Sequence, residues 1–305
     1  MLFVARYLLI FLVLYYLFSD IDTTKLSDSL LSYSLVWVSI AMVSVLLSDL
    51  LLGFRWKYLS NFKCGLLASF ESIVISGLLN FILPAKLGEI SKIAYLKKVY
   101  RLRVSHGTHL LIFERLLDIA FLAILATYVV FDIFSNLNMY WYFSFIVMIV
   151  IFVSFLIKSQ TINILINRLF THSVAVFLME VKSGLSGQLN ISRIIVSTLY
   201  TLIIWASFFL TVYIFLNYAT DFNLPFKAIF SVFVISSIAM SLPLTPGGIG
   251  VYQAGVVFSL GLFNIPQEEA LVAGIALHLI LLIPSFAAAV FVLESKRLSL
   301  SSFKG

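Results

Sequence analysis

Charged residues interrupt two of the apolar stretches in this 305-residue chain, in which only 11% of residues are charged. Lys86 and Glu89 follow one apolar run, and Glu114, Arg115 and Asp118 lie within another. An ionised side chain inside a membrane costs about 2.5–3.5 kcal/mol on insertion scales, so it usually faces a cavity or a partner. Lys86 and Arg115 are suited to binding phosphate, and the planar guanidinium can bind two oxygens at once. We therefore predict a hydrated pocket for an anionic headgroup, with the three carboxylates orienting the two cations.

A structural interpretation of the same residues stands beside the functional one. Glu114 and Asp118 are four residues apart and share a helical face. Glu89 or Glu114 would then pair with Arg115 and fasten one segment to its neighbour. The two interpretations are compatible, because an ion pair can also line a pocket.

A second candidate site is the turn Thr245-Pro246-Gly247-Gly248-Ile249-Gly250, followed by Gln253. Glycine tolerates positive φ and presents bare N–H groups, and a helix that starts near Gly250 favours an anion at its N-terminus. The alternative is a tight turn that only allows close packing. His278, in a later apolar run, is either a proton relay or a hydrogen-bonded packing residue. The predicted ligand contacts in this region are Thr245, Gly247, Gly248, Gly250 and Gln253.

Both candidate sites lie at breaks in apolar sequence. Pro84 and Gly88 interrupt the first run, Pro243 and Pro246 interrupt the second, and Pro84 and Pro243 are 159 residues apart. Non-helical backbone at membrane depth persists only where protein or water satisfies its polar groups. Matched breaks in two halves of a chain indicate a transporter-type binding site.

Composition assigns the chain to the integral membrane proteins. Hydrophobic residues make up 62% of it and the mean hydropathy is +1.09, whereas soluble domains are about 45–50% apolar. We expect no soluble catalytic domain, no metal site and no cofactor, and the one cysteine excludes an internal disulfide. The net charge of +6 arises in membrane-flanking segments and does not indicate nucleic-acid binding.

Six full spans are predicted from apolar length. They cover 2–18, 33–53, 109–131, 140–157, 194–217 and 271–293. Sixteen of the 20 Lys and Arg residues fall in four segments, which the positive-inside rule assigns to the cytoplasm. These are 54–64, 85–107, 158–193 and 294–305. With six full spans, both termini are then cytoplasmic.

This assignment forces the apolar runs at the two breaks to enter the membrane and return. The fold class that follows is an all-α integral membrane protein with six transmembrane helices and two re-entrant hairpins. The hairpins enter from opposite faces, as in an inverted repeat of about 1–131 and 140–293 within one membrane domain, 1–305. An amphipathic stretch, 162–181, in the connector 158–193 is predicted to lie on the cytoplasmic surface.

Further charged residues are interpreted as surface groups. Asp49 and Glu71 are predicted to be solvated near the cytoplasmic interface, and the alternative is that they reach the pocket. The basic run 92–103 is predicted to face anionic lipid, and the alternative is that it also recruits lipid headgroups to the cytoplasmic mouth.

Three motifs in order resemble the transmembrane, flippase-like domain of lysylphosphatidylglycerol synthases, including its single-domain relatives. They are Leu83-Pro84-Ala85-Lys86-Leu87-Gly88-Glu89, Glu114-Arg115-Leu116-Leu117-Asp118 and Pro243-Leu244-Thr245-Pro246-Gly247-Gly248-Ile249-Gly250-Val251. The resemblance implies translocation of a lipid and, with the sequence ending at Gly305, leads us to expect no synthase domain. Family members often carry Glu where this chain has Gln253, which puts a lysyl-lipid substrate in doubt.

We thus predict a non-enzymatic translocator of an anionic headgroup, and the resemblance implies that it lies in the bacterial cytoplasmic (inner) membrane and that its cargo is a phospholipid or a polyprenyl-linked lipid. A partner lipid-modifying enzyme and a homodimer are compatible with it. The alternatives are an integral membrane transferase, or an accessory subunit of one, acting on such a lipid intermediate, and a scaffold without transport activity.

Overall fold

The computed structural model describes residues 31–61, 63–83, 86–133 and 159–297, which contain helices and turns but no strand. The all-α prediction is confirmed for these residues. They form ten α-helices: α1 Leu35–Leu59, α2 Leu66–Ile82, α3 Gly88–Tyr100, α4 Val104–Ile133, α5 Gln160–Leu169, α6 His172–Gln188, α7 Ile191–Ile214, α8 Phe226–Ser241, α9 Val251–Gly261 and α10 Gln267–Ser295.

Three helical segments among the described residues are long and apolar enough to cross a membrane. They are α1, α7 with the π-helical turn Phe215–Ala219 that extends it, and α10. They coincide with the predicted spans at 33–53, 194–217 and 271–293. The chain is therefore a multi-pass membrane protein with several apolar helices.

The other three predicted spans do not coincide with a helical segment of the described residues that meets these criteria of length and apolar composition. The prediction for 109–131 falls within α4, a 30-residue helix that carries Glu114, Arg115 and Asp118, and its crossing of the membrane stays a prediction. The spans predicted at 2–18 and 140–157, and both termini, lie outside the described residues.

Both predicted breaks interrupt helical structure. α2 ends at Ile82 and α3 begins at Gly88. α8 ends at Ser241 and α9 begins at Val251, with a 3₁₀ turn Pro246–Gly248 between them. Proline has no backbone N–H and cannot continue a helical ladder. Re-entrance of these segments and the inverted repeat stay predictions.

The described residues divide into two compact units. The first holds the described parts of 31–50, 73–91 and 204–297, and the second holds those of 51–72, 92–133 and 159–203.

In the first unit, α8, α9 and α10 pack closely through glycines. A Cβ on Gly255 of α9 would lie 3.0 Å from the Cβ of Ala239 in α8, and one on Gly274 of α10 would lie 3.4 Å from the Cα of Gln253. Hydroxyl groups join α1 to α7, through Ser44 to Thr211 at 2.7 Å and Ser48 to Ser207 at 2.8 Å. Small and hydroxylated residues at such contacts are typical of helix packing in membranes.

In the second unit, α6 packs against α4 and against the end of α1. Gly184 in α6 leaves space for the His109 ring of α4, since a Cβ there would overlap it. The side-chain amide of Gln188 donates to the Leu59 carbonyl at 3.2 Å. The amphipathic stretch predicted at 162–181 therefore does not lie on the surface along its whole length: α5 has no buried residue, whereas α6 buries Ala175 and Val181 within the stretch.

Candidate functional site

A buried arginine organises the charged residues of the second unit. Arg55, near the end of α1, has a side chain that is 0% exposed. Its guanidinium donates to both carboxylate oxygens of Asp118, at 2.6 and 3.0 Å, and to Oε1 of Glu114 at 2.8 Å. It also donates to the Thr201 hydroxyl at 3.0 Å. The planar fork of arginine suits two carboxylates on one helical face, which a lysine could not contact in the same way.

Lys92 contacts the second carboxylate oxygen of Glu114. Its Nζ donates to Glu114 Oε2 at 2.9 Å and lies 4.1 Å from the centroid of the Trp56 ring. Lys92 and Glu114 are 3% and 1% exposed. A buried carboxylate is tolerated when cations and hydrogen bonds compensate it, and both oxygens of Glu114 have such partners.

Arg115 is the most exposed member of the same group. Its Nη2 lies 3.4 Å from Glu114 Oε1 and 3.5 Å from Asp118 Oδ2, while 39% of its side chain is exposed. We call Arg55, Lys92, Glu114, Arg115 and Asp118 the ion cluster. With three cations and two carboxylates its formal charge is +1, and Arg115 can contact an anion while Arg55 and Lys92 hold the carboxylates in place.

Two members of the ion cluster were not among the predicted site residues. The predicted span ended at residue 53, so Arg55 was assigned to a loop, whereas α1 continues to Leu59. The prediction that the run 92–103 faces anionic lipid is wrong for Lys92, which is buried, whereas Lys97, Lys98, Arg101 and Arg103 of that run are exposed. The available signal was chemical: two carboxylates inside an apolar helix need nearby cations.

The predictions of solvated Asp49 and Glu71 are also wrong. Asp49 is 6% exposed and accepts a hydrogen bond from the Ser285 hydroxyl at 2.6 Å. Glu71 is 3% exposed and accepts hydrogen bonds from the hydroxyls of Tyr95 and Tyr100, both at 2.6 Å. Each carboxylate fastens two helices, which the sequence pattern could not reveal because the partners are distant along the chain.

The first break lies in the first unit and is closed by backbone contact. A Cβ on Gly88 would lie 2.3 Å from the backbone nitrogen of Asn80, so only glycine allows α3 to start this close to α2. Glu89 accepts from the Asn80 amide at 3.4 Å. Lys86 is half-buried with φ of 57°, and Pro84 lies outside the described residues.

The second break is a packed turn. Gly247, Gly248 and Gly250 have φ of 61°, 75° and 80°, values that glycine adopts without strain. A Cβ on Gly247 would lie 2.3 Å from the ring of Phe81, so the end of α2 meets this turn. Thr245, Gly247, Gly248 and Gly250 are buried, whereas Pro243 is exposed and Pro246 is half-buried.

Gln253 and His278 hold this turn through a chain of hydrogen bonds. The Gly250 N–H donates to Gln253 Oε1 at 2.8 Å, so the amide nitrogen of Gln253 donates to His278 Nδ1 at 2.9 Å. His278 then carries its proton on Nε2 and donates to the Gly247 carbonyl at 2.9 Å. Both ring nitrogens of His278 are thus hydrogen-bonded, as the packing interpretation expects, and a proton-relay role stays a prediction.

Three N–H groups of the turn donate to acceptors within the same segment. Those of Gly248, Ile249 and Gly250 donate to Thr245, Pro246 and Gln253 respectively. These contacts are those of a tight turn, and ligand binding by its residues stays a prediction. Lys86 and Glu89 belong to the first unit and Arg115 to the second, and a headgroup shared by Lys86 and Arg115 also stays a prediction.

Comparison with known proteins agrees with the motifs. A UPF0104 membrane protein of Methanocaldococcus jannaschii is 31% identical over 214 residues, which are 66% of this chain and 87% of that protein. No solved structure matches the chain. The sequence model of the lysylphosphatidylglycerol synthase TM region matches residues 3–289, and the chain therefore belongs to that family.

Proposed function

We propose that this protein moves a phosphate-bearing lipid headgroup across the membrane and that Arg115 contacts the phosphate during the movement. The ion cluster is the observation that carries this proposal. Its surplus positive charge is on the one cation that is substantially exposed, and the other two are held by Glu114 and Asp118. An exposed guanidinium held beside carboxylates can exchange a weak contact of 3.4 Å for a bidentate contact with phosphate.

The family supports a membrane function related to lipids, since its name is that of the membrane region of a phospholipid-modifying enzyme. The acyl chains would remain in the bilayer while the headgroup passes through protein. Membrane transferase chemistry receives no support from the ion cluster, because both oxygens of Glu114 accept hydrogen bonds from cations.

The test is a comparison of two arginine variants in liposomes. Purified protein is reconstituted with headgroup-labelled phosphatidylglycerol, and its movement between leaflets is followed with a membrane-impermeant quencher. Arg115→Gln is expected to slow movement about tenfold or more, as the loss of one charge-assisted contact predicts. Arg168→Gln on the exposed helix α5 is the matched control and should leave the rate unchanged.

Thermal unfolding in detergent separates function from folding. Arg115→Gln should unfold within a few degrees of wild type because its side chain is 39% exposed. Lipid movement by a folded Arg115→Gln protein at the wild-type rate would remove Arg115 from the mechanism.

A further inference from the structure

The second unit contains an open cavity of about 790 Å³ that is separate from the ion cluster. Three segments surround it: the turn that carries Lys63, the connection from α3 to α4, and α6. No residue of the ion cluster lines it. The positive-inside rule predicts all three segments to be cytoplasmic, so the cavity would face the cytoplasm.

The charge around the cavity is strongly positive. Lys63, Arg101 and Arg103 line it, and Glu180 is the acidic residue among the lining groups, which gives a formal charge of +2 with neutral histidines. α4 begins at Val104, directly after Arg103, and has no acidic residue in its first turn. The N-terminus of this 30-residue helix adds positive potential and N–H groups that have no partner within the helix.

The wall of the cavity is partly apolar. Leu102, Val176 and Met179 line it beside the charged groups. His106 also lines it, and its Nε2 is buried without a hydrogen-bond partner among the described residues. A buried polar atom without a hydrogen-bond partner in the protein is a position where a water or an ion is commonly bound. The lining thus combines cations, an unsatisfied imidazole nitrogen and an apolar surface.

Arg101, which lines the cavity, has a backbone conformation that is unfavourable for a residue other than glycine. It has φ of 55°, in the left-handed region where a helix commonly ends with glycine. A non-glycine residue in this region costs on the order of 1 kcal/mol. Glycine at position 101 would therefore relieve this backbone cost and remove the guanidinium at the same time.

We propose that this cavity binds a phosphate ester attached to a partly apolar group. The three cations and the N-terminus of α4 would contact the phosphate oxygens, and the apolar wall would contact the attached group. The ester can be a lipid headgroup at the membrane surface or a soluble phosphorylated molecule. The proposal does not depend on lipid movement through the ion cluster.

The test uses purified full-length protein in discs of zwitterionic lipid. Calorimetric titration with glycerol 3-phosphate measures the soluble source, and retention of phosphatidylglycerol after purification measures the lipid source. Wild type should bind at least one of the two in a saturable manner, and the ligand that binds identifies the source. Binding of neither would overturn the proposal.

Variants separate the cavity from general surface charge. Arg101→Gly relieves the backbone strain while removing the side chain, so it should fold normally and weaken binding about tenfold. Arg103→Gln should have a similar effect, whereas Arg168→Gln on the exposed helix α5 should bind as wild type does. Undiminished binding by both cavity variants would contradict the assignment.

The pH dependence gives an independent readout. Burial, and then the charge of Lys63, lower the pKa of His106 below its ordinary value. A bound anion offsets Lys63, Arg101 and Arg103 and favours the imidazolium, so affinity should rise as the pH falls toward 6. His109 and Glu180 also face the cavity, and His106→Gln isolates the contribution of His106 by reducing this dependence. An identical pH profile for His106→Gln would contradict the role of His106.

Discussion

Arg55 and Arg115 lie in the same ion cluster but differ in exposure, 0% against 39% of the side chain. A buried guanidinium must satisfy its charge within the protein, whereas an exposed one keeps water and can exchange partners. We therefore expect Arg55 to hold the cluster together, and Arg115 is the residue that the proposed function assigns to the ligand.

Removal of Arg55 should destabilise the fold. Arg55→Met removes the buried cation that contacts both Glu114 and Asp118, while Lys92 and Arg115 remain beside them, so we expect the free energy of unfolding to fall by about 3 kcal/mol. Denaturant unfolding in detergent measures this change. Arg115→Gln is the control, with an expected loss of less than about 1 kcal/mol. Equal stability of the two variants would show that the buried Arg55 contributes no more to the stability of the fold than the exposed Arg115.

Gln253 is expected to hold the second break rather than to select the lipid. Gln253→Leu removes both an acceptor for the Gly250 N–H and a donor to His278, so we expect a loss of about 1–3 kcal/mol for each unsatisfied buried group. Unfolding in detergent measures the loss. If Gln253→Leu instead keeps its stability and transports a different headgroup, Gln253 contacts the headgroup and determines which lipid is transported.

The residue scale is also where the sequence was least informative. Glu114, Arg115 and Asp118 stand out because charge is unusual in apolar sequence, and the structure places them together. Arg55 and Lys92 resemble ordinary flanking cations, and their burial depends on tertiary contacts from other helices. A composition or hydropathy pattern carries no information about such partners.

At the scale of helices, the two breaks were predictable because proline and glycine act locally. Proline removes a hydrogen-bond donor, and glycine allows positive φ or close approach wherever it occurs. The boundaries were less predictable: α1 continues six residues past the predicted end at 53, since Arg55 and Trp56 are buried by contacts that hydropathy does not describe.

Two glycines flanking the first break should respond in opposite ways to alanine. Gly88→Ala brings a Cβ to 2.3 Å from the Asn80 backbone nitrogen, so α2 and α3 must move apart, at a cost of about 1–3 kcal/mol. Gly77→Ala in α2 meets no atom within 4 Å and should be neutral or stabilising by up to about 1 kcal/mol. Unfolding midpoints of both variants measure this difference. A neutral Gly88→Ala would show that the contact at the break does not constrain it.

For the whole molecule, the helical class and the family were predictable, and the membrane topology can be tested directly. Cys64 is 1% exposed, so it contributes little background to labelling. Lys97→Cys in α3 is predicted to react with an impermeant maleimide from the cytoplasmic side, and Asp221→Cys, before α8, from the opposite side. Both positions are exposed. Labelling of intact cells and inverted vesicles decides the outcome, and reaction of both cysteines from one side would contradict the opposed hairpins.

Lipid movement by the purified protein tests the central claim most directly. Liposomes with and without the protein are compared for two lipids with the same acyl chains and label, phosphatidylglycerol and a neutral sugar lipid without phosphate. The ion cluster predicts that protein accelerates the movement of phosphatidylglycerol and leaves the neutral lipid at the rate of protein-free liposomes. Equal acceleration of both lipids, or no acceleration of phosphatidylglycerol, would contradict it.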